Sequence, residues 1–550
     1  MTTVFNAFST PFGRTWILLG GLVLGLGYFP MLNAPFDFID DGNLVYPAPE
    51  GTTPTQHADR WWDKVQANVE HLGPFRPALW VHWELTANVV GADPLAWRSL
   101  RLLWCAFAAS MFLWLLKELK IHPVAALLVA AAAFWNPYRN EIWTSLTLAE
   151  GVAMPYAFLA LVAARKAASS TAPWKWDFAA LFGLLMALGC KNVFVAIVPA
   201  MVVLRVLPDN VSFKDVWKGR GLRAGLYLLP LALPLAHFVY FQQHWQPGHY
   251  ETPGPSWGQA LRIGSWMKGA AGLDFLGLGI LGVAGTVAWT TKRATFADHR
   301  AALLAGGLLL AFGVAVYVPL QIMAMRYTMP AVWGFDLLLA ILLTHFLRVP
   351  AVVPRRVGLA ALGLGLAVMT VANVGRQEKV SARSRVLWNA LEHVEREASP
   401  NARVAWISGP SPGLNAEEGI HFHWHLLHRG RGDVHVALFD GNGQPIDRVE
   451  VPLLDREPEF RIALEPADGP WDAGPKFGSS YWLGRKQYSC QVQTARRPST
   501  SPSVLDPWTT AFMKAGFNNP AADANELQML TNGRGTAGSP ATAELKPKSP

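Results

Sequence analysis

Three acids, Asp37, Asp40 and Asp41, fall within five positions directly after the first long apolar run of the chain. Farther along, Arg139 and Glu141 share the stretch Asn136-Pro137-Tyr138-Arg139-Asn140-Glu141, Glu150 sits in an apolar segment, Lys191 interrupts another, and Arg326-Tyr327 precedes a third. Carboxylates can accept a proton from a reacting group, and cations can hold the negative charge that a leaving group develops. Residue types alone leave plainer readings open: solvated loop acids, a snorkelling Lys191, an interfacial Arg326, a Glu141 that only pairs with Arg139. Glu150 is harder to set aside. It reads as about two turns inside a helix, where an unpaired acid costs roughly 2.5–3.5 kcal/mol, so it needs a partner or water.

The elements that carry these residues are apolar. The chain of 550 residues is 51% hydrophobic and only 16% charged, with mean hydropathy +0.20, and apolar runs long enough to cross a bilayer recur from Thr15 to Val374. A polytopic membrane protein follows. The first run, Trp16 to Leu32, has no small-x-small cleavage site and reads as a retained helix. Cys105 and Cys190 lie in apolar runs and Cys490 stands alone in the tail, so no disulfide framework is available.

Basic residues set the topology. Lys117/Lys120, Arg165/Lys166/Lys175, Arg205 through Arg223, Lys292/Arg293/Arg300 and Arg348/Arg355/Arg356 can all be cytoplasmic at once if 177–204 is a hairpin turning at Lys191-Asn192. The expected fold is then all-α with about 11 transmembrane helices over residues 1–375, the N-terminus inside. The net charge of +8 becomes a topology device, and no nucleic-acid partner is expected. The opposite side receives the acids after helix one, residues 136–141, Lys191, the polar loop 242–271 and Arg326-Tyr327. The loop 33–98 contains Arg76, and its spacing of Trp, Val, Leu and Ala predicts two interfacial amphipathic helices.

In order, the segments are "FIDDGNLV", "FRPALWVHWELTANVVGADPLAWRSLRLLW", "AAAFWNPYRNEIWTSLTLAEGVAMPYAFLAL", "LLMALGCKNVFVAIVPAMVVL" and "RYTMPAVWGFDLLLA". This succession, over roughly residues 30–345, resembles the GT-C membrane glycosyltransferases, especially the protein O-mannosyltransferase-like branch often fused to tetratricopeptide repeats. The resemblance implies transfer of a sugar from a polyprenyl-phosphate carrier to a hydroxyl acceptor, protein or surface glycan or lipid, outside the cytoplasm in the inner or plasma membrane. Carried over, Asp40 or Asp41 takes the general base, Glu141 the acid after the third helix, and Arg326 the arginine of the arginine-tyrosine motif. Arg76, Arg139, Glu150, Lys191 and Tyr327 are the further candidates for holding substrate. No metal ligands are assigned, and a divalent cation is the one cofactor left open. Two departures stand out: Lys191 is followed by Asn192 where the branch often has glutamate, and no repeat of period near 34 follows. The alternatives are a transporter or flippase for a lipid-linked substrate and a non-catalytic assembly factor on the same fold.

From Arg376 the composition turns soluble, and a small α/β domain is expected over 376–494 outside the cytoplasm, followed by a disordered tail, 495–550. An amphipathic helix at 380–398 and strands at "ARVAWIS", "DVHVALFDG" and after "NGQP" are expected. "EEGIHFHWHLLHRG" puts His421, His425 and His428 on one helical face, a pattern that could hold a metal or simply pack.

Overall fold

The computed structural model describes residues 11–38, 41, 44–72, 75–207, 221, 223–236, 239, 257–290, 296–317, 325–349, 352–408, 416–440, 445–446, 460–466, 476–483 and 486–493. Asp40, the first half of the loop 242–271, the stretch expected to form a strand after Ile446 and the tail 495–550 lie outside these residues.

The helices are α1 (Pro11–Leu26), α2 (Pro54–Leu72), α3 (Pro77–Val90), α4 (Pro94–Glu118), α5 (Pro123–Phe134), the single turn α6 (Glu141–Thr144), α7 (Ala149–Ser169), α8 (Pro173–Cys190), α9 (Val198–Val206), α10 (Trp257–Ala270), α11 (Leu273–Thr290), α12 (Arg300–Ala315), α13 (Met329–Leu347), α14 (Val352–Glu397) and α15 (Ala416–His428). Proline opens α3, α4, α5 and α8, where its missing N–H is one of the donors a first turn leaves unused. Asp93 caps α4 by accepting from Leu95 N at 3.0 Å. The two expected helices of the loop 33–98 are α2 and α3. Glu84 of α3, buried, joins them by accepting from Lys64 Nζ at 3.0 Å, with His57 and Arg60 also in contact.

Among the described residues four helices are long and apolar enough to cross a membrane: α4, α7, Arg326–Leu347 and α14. A fifth is Ile263–Ala270 with Leu273–Ala288 if this pair, bent by 77°, forms one span, and five shorter apolar helices accompany them. Leu278 (87% exposed), Leu281 (70%) and Leu364 (69%) stand out from α11 and α14, compatible with membrane insertion.

The turn at Lys191 is a reversal of the chain. Asp177, near the start of α8, accepts from Arg205 Nε at 2.7 Å near the end of α9, which a helix running straight through would forbid at 1.5 Å per residue. Two sequence expectations change. The helix expected over 143–164 begins instead at Ala149, because Arg98 and Arg101 take the carbonyls of Thr144, Ile142 and Leu148 that a continuous helix would use. Part of the expected loop 242–271 is helical, as α10.

α14 runs unbroken for 46 residues across the expected domain boundary near 375, since its one proline, Pro354, lies in the first turn, where no helical hydrogen bond is lost. Its second half delivers Val386, Leu387, Ala390, Leu391 and Val394 to a second hydrophobic core with Trp406, Phe422 and Leu438. Over that core lies a six-stranded sheet in the order β3-β2-β1-β4-β6-β5, made of Arg403–Ile407, His435–Phe439, Pro445–Ile446, Phe460–Pro466, Lys476–Leu483 and Lys486–Gln493 as β1 to β6. β1 pairs in parallel with β2 and β4, and α15 supplies the crossover between β1 and β2.

Candidate functional site

Contacts between distant turns sort the molecule into two ends. At one end Lys166 pairs with Glu118 at 3.5 Å, Arg165 donates to Leu207 O at 2.9 Å, Tyr227 and Arg205 close on Asp177, and His122 N donates to Thr344 Oγ1 at 3.0 Å. At the other end Glu141, Glu150, Lys191 and Arg326 meet.

The second end is built from four separate segments. Starting α7 at Ala149 puts Glu150 in its first turn rather than two turns inside, where helix N–H groups favour a carboxylate. The reversal after α8 brings Lys191 Nζ onto Glu150 Oε1. The turn Met325–Thr328, ahead of α13, places Arg326 so that Nη1 pairs with Glu141 and Nε lies 3.8 Å from Glu150 Oε1. Tyr327 lies under both cations, with Lys191 Nζ 4.2 Å and Arg326 Cζ 5.2 Å from its ring centre, and Tyr317 stacks on it at 5.4 Å. Arg76, at the head of α3, is within electrostatic range of Lys191 and Tyr317. Glu150 is 1% and Lys191 9% exposed, whereas the side chains of Arg326 and Glu141 keep 16% and 26%, so the acids and cations pair in a partly shielded cluster. Three cations face two carboxylates there. Arg76 Nε, Arg326 Nε and Tyr317 Oη are buried and have no hydrogen-bond partner among the described residues.

Asp41 approaches from the turn after α1. It is 0% exposed, accepts from Asp37 N through Oδ2 at 2.8 Å, and is joined electrostatically to two buried arginines on consecutive turns of α4. Arg98 donates to the carbonyl oxygens of Pro35 at 2.8 Å and of Thr144, tying the acidic turn to α6. Arg101 is within range of both Asp41 and Glu150, so it links the turn to the cluster, and its ring partner is Trp143 at 5.5 Å. Gly151 makes room for it: a Cβ at that position would overlap the guanidinium and lie 2.7 Å from Ile142 O.

Of the residues singled out from the sequence, Glu141, Glu150, Lys191, Arg326, Tyr327 and Arg76 are brought together, and Asp41 is linked to them through Arg101. Glu141 takes Arg326 and not Arg139. Arg139 is turned to a different partner, a two-pronged pair with Asp336 at 2.7 and 2.9 Å. Sequence reasoning passed over Arg98, Arg101 and Tyr317. The arginines' seven-residue run "RSLRLLW" opens an apolar helix, and polar residues in such a setting are the signal that could have found them.

An apolar cleft of about 380 Å³ is lined by Val195, Val198, Val202, Leu231, Phe312 and Val316 among others. Val316 adjoins Tyr317, and Val195 lies four residues beyond Lys191.

His421, His425 and His428 of α15 each lie against an aromatic ring. Burial holds His425 down to about 3, so its ring is neutral, and Nδ1 meets Tyr46 Oη at 2.9 Å. No group of three or more His, Cys, Asp or Glu able to hold a metal occurs among the described residues. Comparison of the chain with protein-family models and with curated proteins found no match.

Proposed function

We propose that the chain is a GT-C type glycosyltransferase that moves a sugar from a polyprenyl-phosphate carrier to a hydroxyl acceptor. The observation that carries this reading is the pairing of Lys191 and Arg326 with Glu150, with Arg76 in range of Lys191 and with buried donors on Arg76 and Tyr317 that make no hydrogen bond among the described residues. Buried donors without acceptors are costly in a protein that never fills them, and a phosphate accepts several at once. The apolar cleft lined by Val316, the residue before Tyr317, suits the prenyl chain of such a carrier.

In the reaction the acceptor oxygen bonds to the anomeric carbon as the bond from that carbon to the phosphate oxygen breaks. The electron pair leaves with the carrier phosphate, whose growing charge falls to Lys191, Arg326 and Arg76. The acceptor proton goes to a carboxylate of the acidic turn, Asp41 or Asp40. Glu141 and Glu150 orient the cations and keep the pocket near neutral until the donor arrives. We place the end that carries Lys117, Arg165 and Arg205 in the cytoplasm, by the positive-inside rule, and the cluster and C-terminal lobe outside it. Reporter fusions near Ser170 should then read as cytoplasmic and fusions after Val374 as external.

The test is purified protein in liposomes with a panel of polyprenyl-phosphate sugars. Release of polyprenyl phosphate together with glycosylated acceptor supports the reading; no release with any donor sinks it. One observation favours a second reading, transport of a lipid-linked substrate: the 77° break between α10 and α11, since broken helices line many transport sites. Movement of intact donor between leaflets without release would select it.

A further inference from the structure

The acidic turn does not end at the membrane helices. Phe36 and Phe38 precede Asp41 and Tyr46 follows it, and all three rings are held by the C-terminal lobe. Phe38, 0% exposed, belongs to that lobe's hydrophobic core with Leu387, Trp406 and Phe422. Its ring centre lies 5.9 Å from Phe422 and 5.0 Å from His425, and Phe36 lies 5.9 Å from Trp388. Tyr46 stacks on His428 at 4.4 Å. A lobe that needed only to bury these rings could do so with aliphatic side chains. Instead it puts an imidazole among them, and both ring nitrogens face the turn: Nδ1 toward Tyr46 Oη at 2.9 Å and Nε2 toward Asp37 O at 3.5 Å. A neutral ring with its proton on Nε2 accepts from the tyrosine and points its N–H at the carbonyl. Asp37 in turn donates its own N–H to Asp41 Oδ2 at 2.8 Å.

We propose that α15 is a clamp on the acidic turn and that His425 is a positioning residue, acting through Tyr46 and the Asp37 backbone to fix the Asp41 carboxylate. The proposal rests on the assignment of Asp41 to proton transfer. A general base must meet its proton within hydrogen-bond reach, so a carboxylate on an unsupported turn would lose rate without losing donor affinity. None of these contacts of His425 and Tyr46 involves Lys191 or Arg326, so the two effects separate.

The experiment compares the full chain with Tyr46→Phe, His425→Phe, His425→Asn and the surface control Leu427→Ala, an exposed position of the same helix. Amide hydrogen exchange of the segment 36–46 is measured without any sugar, and kcat and donor KM are measured in liposomes. Exchange should rise about tenfold in Tyr46→Phe and His425→Phe, the worth of one hydrogen bond. Their kcat should fall about 10- to 100-fold, the cost of a misplaced catalytic group, with donor KM within about twofold of the parent. His425→Asn, whose amide oxygen falls near Nδ1, should recover part of both, and Leu427→Ala should match the parent. Unchanged exchange in Tyr46→Phe and His425→Phe overturns the clamp. Raised exchange with parental kcat, or a loss confined to KM, overturns the positioning role. Absence of transfer in the parent defeats the glycosyltransferase reading instead, while the exchange data still decide whether α15 holds the turn.

Discussion

Asp177 and Arg205 are 28 residues apart in the chain and 2.7 Å apart in the fold. Both are nearly inaccessible, and Tyr227 Oη donates to the same carboxylate oxygen at 2.7 Å. The pair fastens the base of the hairpin whose tip presents Lys191. Removing one partner leaves a buried charge, which costs about 3–5 kcal/mol, so Asp177→Ala should lower the unfolding midpoint in detergent markedly. Asp177→Asn with Arg205→Met removes both charges and should be the milder change. Equal loss in the two forms would mean the pair is not what secures the hairpin.

The hairpin was legible because the positive-inside rule needs a reversal at Lys191, and the sequence shows every basic loop. Other features were hidden for physical reasons. The late start of α7 depends on Arg98 and Arg101 reaching carbonyls more than forty positions away, as in the Arg101 to Ile142 bond with its separation of 41. Helical periodicity carries no trace of that competition. The docking of His425 on Asp37 joins residues 388 apart, and no local pattern reports it. The strands β1 and β2 were legible from short β-branched and aromatic runs, whereas the course of α14 through residue 375 was not, because composition changes there while helix propensity does not.

Arg326 touches Glu141 with one nitrogen and approaches Glu150 with another at 3.8 Å. A lysine offers a single point charge and cannot span both. Arg326→Ala should therefore weaken donor use severely and Arg326→Lys should recover only part, read as transfer against donor concentration. Parental activity in both variants would reduce Arg326 to an interfacial anchor.

Gly151 is where the site is tightest. Gly151→Ala would drive Arg101 from its place between Asp41 and Glu150, costing about 1–3 kcal/mol of stability, as overpacking does. Transfer should fall with it. Gly363, on the same kind of apolar helix but with nothing within 4 Å of its virtual Cβ, is the control, and Gly363→Ala should be neutral or slightly stabilising. A neutral Gly151→Ala would show that Arg101 is free to move.

Glu84 gives a pH signature to the loop helices. Burial works against its ionisation, but Lys64, Arg60 and His57 outweigh it and hold the carboxyl below the ordinary value of 4.5. A depressed carboxylate contributes stability that is complete above its unfolded value and lost as pH falls through its folded one. Protection of α2 against hydrogen exchange, corrected for the intrinsic rate at each pH, should be complete above about pH 4.5 and fall steeply below it. Glu84→Gln should exchange faster at neutral pH and lose the added acid sensitivity; an unchanged profile would mean α2 is held by its tryptophans alone.

Asp41 carries the proposed chemistry, and its surroundings compensate its charge. It receives the Asp37 N–H and lies in the field of Arg98 and Arg101. Those arginines are fixed in turn by carbonyls of Pro35, Ile142 and Thr144, so the charge is compensated by groups that do not need to move. Asp41→Asn keeps the shape and the hydrogen-bonding oxygen while deleting the charge. Transfer should fall on the order of 10²-fold or more, the scale of a general base, with donor binding nearly intact because Lys191, Arg326 and Arg76 are untouched. Asp37→Asn should be milder, since its main-chain N–H and carbonyl survive. Asp40→Asn separates the neighbouring acid, and equal amounts of folded protein in liposomes make the rates comparable. If Asp41→Asn, Asp40→Asn and the double variant all transfer sugar at the parental rate, the buried carboxylate is only a fastening of the turn, and the proton must leave by another route.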